Sequence, residues 1–147
     1  MTSRHLFAMT ALFSLAIASA FAQSDPLKAA AAEPGAIVTP SGLVFRTLKE
    51  GTGAAPAATD RVQVHYRGTF LDGREFDSSY QRKQPATFPL DGVIKCWTEG
   101  VQRMKVGGKA GLTCPSAIAY GERGAGGGLI PPNAVLKFEV ELLGINP

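Results

Sequence analysis

The 147-residue chain carries 15 lysines and arginines against 12 aspartates and glutamates, a net charge of +3 without a basic run, so nucleic acid is not an expected partner. Once a leader-like segment at the start is set aside, the length suffices for one domain with a modest core and not for two. Two cysteines and, beyond residue 22, a lone histidine give no zinc-ligand spacing; no metal and no other cofactor are expected.

In chain order, residues 1–22 have the pattern of a secretory signal peptide. Arg4 and His5 give a short basic start, an apolar run follows from Leu6 to Ala18, and Ala20-Phe21-Ala22 offers small residues for cleavage before Gln23. The run falls short of the ~20 residues that span a bilayer, so no membrane span is expected after cleavage. Export is the expectation, to a periplasm or outside the cell, and glutamine rather than cysteine at position 23 argues against lipid attachment. Residues 23–40, with Asp25-Pro26, an alanine run at 29–32, Glu33-Pro34-Gly35 and Pro40, carry no continuing period and read as a flexible tether. That stretch is too short for a dimerisation domain, so a monomer is expected, with the folded domain over residues 41–147.

Leu43, Phe45 and Leu48 fit a short first strand, ended by Glu50-Gly51-Thr52-Gly53. From Arg61 to Leu71, Val62, Val64 and Tyr66 alternate with Gln63, His65 and Arg67, the period of a strand with one buried face. Asp72-Gly73 favours a tight hairpin into a strand beginning at Glu75, and Ala86-Thr87-Phe88 reads as a short edge segment. The spacing of Trp97, Val101 and Met104 predicts a helix over Lys95–Met104, ended by Gly107-Gly108. Lys109–Cys114 resumes as a strand stopped by Pro115, Tyr120–Pro132 is a glycine-dense loop, and Ala134–Leu143 gives the last strand. Strands with one short helix predict an α+β domain whose sheet buries a face against that helix.

Nucleophilic catalysis needs an activated serine or cysteine, and His65, on the outward side of its strand, has no partner groups in the pattern. Gly107-Gly108-Lys109 and the glycines at 124–128 miss the phosphate-loop spacing and read as turns. In an oxidising compartment Cys96 and Cys114 either close a disulfide, worth about 3 kcal/mol by loop entropy, or remain two separate buried thiols. What is left is a surplus of apolar and aromatic residues: Phe76, Val93-Ile94, Trp97, Tyr120, Leu129-Ile130 and Phe138. Taken singly, each reads equally as core packing.

In order, however, the residues resemble the FKBP-type peptidyl-prolyl cis-trans isomerases from about Ser41 to Pro147. The resemblance is carried by Val64-His65-Tyr66-Arg67-Gly68, Asp72-Gly73, Phe76-Asp77-Ser78-Ser79, Pro85 and Phe88, and Val93-Ile94 with Trp97 and Glu99-Gly100. It continues through Met104 with Val106-Gly107, Ala119-Tyr120-Gly121, Ile130-Pro131-Pro132 and Phe138-Glu139-Val140-Glu141-Leu142. The resemblance implies a five-stranded antiparallel β-sheet wrapped around one short α-helix, with a proline pocket between them. By the same carry-over Trp97 forms the floor, and Tyr66, Phe76, Val93, Ile94 and Phe138 form the walls. Asp77 and Tyr120 offer polar contacts, Leu129 and Ile130 close one side, and the Ile94 N–H holds a substrate carbonyl. The implied activity is rotation of X-Pro bonds in exported or unfolded polypeptides, with tacrolimus-type macrolides as implied inhibitors.

Such chemistry breaks no covalent bond; the obstacle is the ~18–20 kcal/mol barrier of amide resonance. A dry apolar pocket lowers it by favouring the less polar twisted amide, and hydrogen-bond donors aimed at that form add to the effect. Three departures from the family pattern stand out: Ala86 where an aromatic is common, expected to widen a wall; Cys96 where glycine is usual before the tryptophan; and Gly126-Gly127-Gly128, expected to loosen the late loop. With Cys114, Cys96 implies a bridge beneath the helix start. Because a fold of this kind can outlive its activity, a second reading is a binding module or holdase that grips proline segments without turnover. A third is a surface-interaction factor.

Overall fold

The structure is a computed structural model and describes residues 25–147. The leader expected over residues 1–22 lies outside the described residues.

The first described segment corrects the expectation of a flexible tether. Asp25 caps a short helix, α1 (Pro26–Ala31), its Oδ1 accepting from the Leu27 N–H at 3.0 Å with Pro26 in the first turn. A three-residue strand, β1 (Ala36–Val38), then pairs antiparallel with β2 (Val44–Lys49). Arg46 holds the connection, donating from Nε to the Pro34 carbonyl at 2.9 Å and from Nη1 to Glu33 at 3.0 Å. Neither element is long enough to display a period, and the partners that order them lie on β2.

The remaining strands are β3 (Arg61–Thr69), β4 (Glu75–Ser78), β5 (Ala86–Pro89), β6 (Lys109–Cys114) and β7 (Leu136–Ile145). They form one sheet in the order β1-β2-β6-β7-β3-β4, with β5 also pairing with β3, and every pairing is antiparallel. The sheet therefore has seven strands rather than five; β1 and β5, of three and four residues, are the additions at its ends. Burial alternates along β3 and β7 as the period of two requires, placing Val62, Val64, Tyr66, Leu136, Phe138, Val140 and Leu142 on the inner face.

Two further helices complete the chain, α2 (Ser79–Arg82) and α3 (Lys95–Val101). The inner face of the sheet packs against α3, which buries Cys96, Trp97, Gly100 and Val101. The helix ends at Val101 rather than Met104, because the Arg103 and Met104 N–H groups bond three residues back, to Gly100 and Val101 at 3.1 Å. That tightened turn still leaves Met104 in the core. Cys96 and Cys114 are joined in a disulfide with Cα atoms 5.9 Å apart, both fully buried, so of the two alternatives open in the sequence the structure adopts the bridge. Among the described residues no helix is long and apolar enough to cross a membrane.

Candidate functional site

Between the start of α3 and the inner face of the sheet lies a cavity of about 480 Å³, lined by Tyr66, Phe76, Asp77, Phe88, Gly92, Val93, Ile94, Trp97, Tyr120 and Phe138. Two other depressions are chemically plainer. One of about 260 Å³ on the outer face of the sheet is walled by the paired charges Arg46–Glu33; another, of about 810 Å³, is an open, charged groove along α3.

Trp97, 4% exposed, forms the base. Tyr66, Phe88 and Phe138 meet it edge to face with ring centroids 5.1, 5.7 and 5.4 Å away, and Phe76 crosses Phe138 in the same manner at 5.7 Å. The Trp97 Nε1–H is buried without a hydrogen-bond acceptor among the described residues. Tyr66 and Phe138 reach the cavity because the inward face of β3 and β7 carries them. Gly68 makes the room: a Cβ there would lie 2.6 Å from Phe76 and 3.0 Å from Phe138. A register shift after Gly68, where it pairs with Asp77, brings Phe76 and Asp77 to the same rim.

The polar side of the rim is a three-membered network. The Tyr66 hydroxyl donates to Asp77 Oδ2, while Arg82 donates from Nη1 to Asp77 Oδ1 at 2.5 Å and from Nη2 to the Tyr66 oxygen at 3.0 Å. The guanidinium also lies over the Tyr66 ring, 5.7 Å from its centroid. Partial burial works to raise the Asp77 pKa, but the Tyr66 hydroxyl bond and the Arg82 charge outweigh it and hold the carboxyl below its usual range. Burial first, and then the Asp77 charge, push the Tyr66 and Tyr120 phenols upward, so both remain protonated donors at neutral pH. Arg82 reaches the rim because α2 is pinned beneath it. Ser79 Oγ accepts from the Tyr66 N–H at 2.7 Å, Ser78 caps the Gln81 N–H at 3.3 Å, and Lys83 closes the turn at φ 55°.

The cavity gathers Tyr66, Phe76, Asp77, Val93, Ile94, Trp97, Tyr120 and Phe138, residues that the resemblance places around a pocket. Leu129 and Ile130 are corrections: neither lines it. Ile130 is buried in the core and doubly bonded to Ala125 at 3.0 Å, and Leu129 points outward, 57% exposed. Ala86, paired with Val64 beside the Phe88–Val62 pair, faces the same side of the sheet as Phe88 but does not line the cavity. Phe88, Gly92 and Arg82 were missed as site residues. Phe88 stands two residues beyond Ala86 on the same face of a strand, which was a legible signal; nothing in the spacing of Arg82 marked it. His65 lies away from the cavity, its Nδ1 2.8 Å from Ser79 Oγ and its ring stacked on Tyr80.

An aromatic cup with a carboxylate held in an ion pair, and no nucleophile–base pair among its lining residues, is suited to binding and reshaping a neutral group rather than to breaking bonds. The comparison with known proteins agrees. Residues 53–143 match the model of the family described as FKBP-type peptidyl-prolyl cis-trans isomerase. The chain belongs to this FKBP family. It is 58% identical over 119 residues to the FKBP-type isomerase FkpA of Aeromonas hydrophila, covering 81% of this chain and 44% of that one. It is 55% identical over 115 residues to the FKBP-type 22 kDa isomerase of Escherichia coli, covering 78% and 55%. This FKBP chain thus spans about half the length of the curated relatives it matches. Among solved structures, FkpA from E. coli superposes with a TM-score of 0.79 at 47% identity, over 82% of this chain and 56% of that one. A peptidyl-prolyl cis-trans isomerase from Pseudomonas syringae gives 0.77 at 41% identity, covering 83% and 89%.

Proposed function

We propose that this chain is a peptidyl-prolyl cis-trans isomerase that turns X-Pro bonds of polypeptides inside the Trp97 cup. The observation that carries the reading is the cup itself: three aromatic rings on one buried indole, with two donors at its mouth and no group among its lining residues placed for covalent chemistry. The proline ring stacks on Trp97. The Ile94 N–H, which donates to no acceptor among the described residues, receives a carbonyl of the substrate. Tyr120, 38% exposed and without a hydroxyl partner among the described residues, donates to the twisted amide or its flanking carbonyl. Asp77, kept ionised by Arg82, presents its charge to the rim rather than a proton.

Rate comes from the difference between the planar and twisted amide. Charge separation across the planar C–N bond is stabilised by water, so moving that bond into a dry cup removes more from the ground state than from the twisted state, whose nitrogen has recovered its lone pair. Each ~1.4 kcal/mol of that difference is tenfold in rate. We further propose that residues 1–22 are a cleaved leader and residues 41–147 the isomerase domain, with residues 25–40 packed along its edge. Export to an oxidising compartment is supported by the leader pattern and by the buried cystine. Slow X-Pro exchange in exported polypeptides defines the substrates, and tacrolimus-type macrolides are competitors for the cup.

Tyr120→Phe tests the donor. The expected result is a kcat for a short X-Pro peptide lowered by about tenfold with peptide affinity largely kept, as loss of one transition-state donor requires. A wild-type protein that binds the peptide and does not accelerate exchange would place a proline-binding module ahead of the enzyme.

A further inference from the structure

Two contacts fix α3 on the sheet, and they are matched in spacing. Cys96 is bonded to Cys114, and Gly100 abuts Leu112 so closely that a Cβ would collide with it. Four residues of helix rise ~6 Å and two residues of strand ~6.6 Å, so the pair of contacts holds α3 antiparallel to β6 at both ends. Both ends are buried, Cys96 and Trp97 at the start and Gly100 and Val101 at the other, and the C-terminal end continues into the tightened turn that carries Met104. The N-terminal end has no side-chain cap and no acidic residue in its first turn, and a seven-residue helix has little stability of its own.

The uncapped N-terminal end carries the chemistry. Cys96 lies between Ile94, whose N–H faces no internal acceptor, and Trp97, the floor of the cup. On the other side of the bond, Cys114 is followed by Pro115 and by the turn Ser116–Ile118 that leads to Tyr120. The disulfide therefore ties together the roots of two segments that carry three of the site residues, Ile94, Trp97 and Tyr120.

We propose that the Cys96–Cys114 disulfide is a positioning device for the proline cup, setting the separation between the Ile94–Trp97 wall and Tyr120, so that catalysis depends on it beyond its effect on stability. The proposal rests on the isomerase reading. Misplacement of positioned groups by about 1 Å can cost up to about a hundredfold in rate; a helix end freed at one of two ties gives a loss of about tenfold or more in kcat/KM.

The test compares the oxidised protein with protein reduced by dithiothreitol, which closes its own ring disulfide as the cystine becomes two thiols, and with the double variant Cys96→Ala, Cys114→Ala. All are assayed at a temperature where circular dichroism shows them folded. Leu142→Ala serves as the stability control: it is buried in the same core but lies six residues along β7 from Leu136, the register partner of Cys114, ~20 Å away. The expected result is a kcat/KM at least about tenfold lower in the reduced and double-variant proteins, with Trp97 fluorescence altered and peptide KM raised, while Leu142→Ala loses Tm and keeps kcat/KM. Equal kcat/KM in folded oxidised and reduced protein overturns the positioning role, as does an equal loss in Leu142→Ala. If the oxidised protein itself gives no acceleration, the isomerase reading has failed. The positioning role is then decided by peptide affinity in the two redox states, with equal affinities overturning it.

Discussion

Arg82 is the residue that most changes how the rim is understood. Its bonds to Asp77 and Tyr66 mean that the carboxylate is an ionised acceptor already engaged, and the Tyr66 hydroxyl is committed to it. Arg82→Ala removes one guanidinium from two partners at a half-exposed site, where such pairs contribute about 1 kcal/mol or less to stability. Thermal unfolding should barely change, while kcat/KM falls several-fold because Asp77 and Tyr66 lose their fixed orientation; unchanged kcat/KM would make the network ornamental to the reaction. The same network sets the pH dependence. The Asp77 pKa is depressed in the folded protein, so its contribution to stability is complete above the unfolded value near 3.9 and is lost as pH falls through the folded value. Tyr66 and Tyr120 are shifted the other way, above 10, so they keep their protons until alkaline pH. A profile of kcat/KM should therefore be flat from about pH 5 to about pH 9 and decline on the acid side below about pH 4. A bell centred near neutrality would contradict the assignment of the pH dependence to these rim groups.

Among the elements, strands β3 and β7 and the buried stripe of α3 were readable because long alternating or helical patterns are dictated by one buried face. The end of α3 was misread because the residues after Val101 keep the apolar spacing while the backbone tightens into bonds three residues back. α1 and β1 escaped notice for a different reason: three to six residues cannot carry a period, and Arg46 supplies from another strand what the local sequence lacks. Gly100 belongs at this scale, since it sets the approach of α3 to β6. In a free helix Gly100→Ala would gain up to about 1 kcal/mol from propensity. Here the new methyl meets Leu112, which is 1% exposed and has Leu43 behind the same spot, so overpacking of about 1–3 kcal/mol dominates. Chemical denaturation of Gly100→Ala should show a net loss of stability; a gain would mean that the helix stands further from the sheet than the structure has it.

At the scale of the molecule, the fold class and most of the cup were legible, and what was not legible followed from distance in sequence. Phe88 comes from a four-residue strand, Arg82 from a one-turn helix, and Tyr120 from a loop anchored by Pro115; only the folded sheet brings them together. Leu129 and Ile130 were drawn toward the site by the order of motifs, yet Ile130 folds back on Ala125 and Leu129 faces solvent. The chain's aromatic surplus is thereby divided between a core that needs no special placement and a cup whose base is a buried indole. The central claim is that this cup lowers the barrier to rotation about X-Pro bonds, and the direct measurement is catalysed cis–trans exchange in a short X-Pro peptide, followed by magnetisation-transfer NMR with purified residues 23–147. The prediction is exchange accelerated in proportion to protein concentration and returned to the uncatalysed rate by a macrolide that fills the cup. Uncatalysed exchange in the presence of folded protein that binds the same macrolide would contradict it.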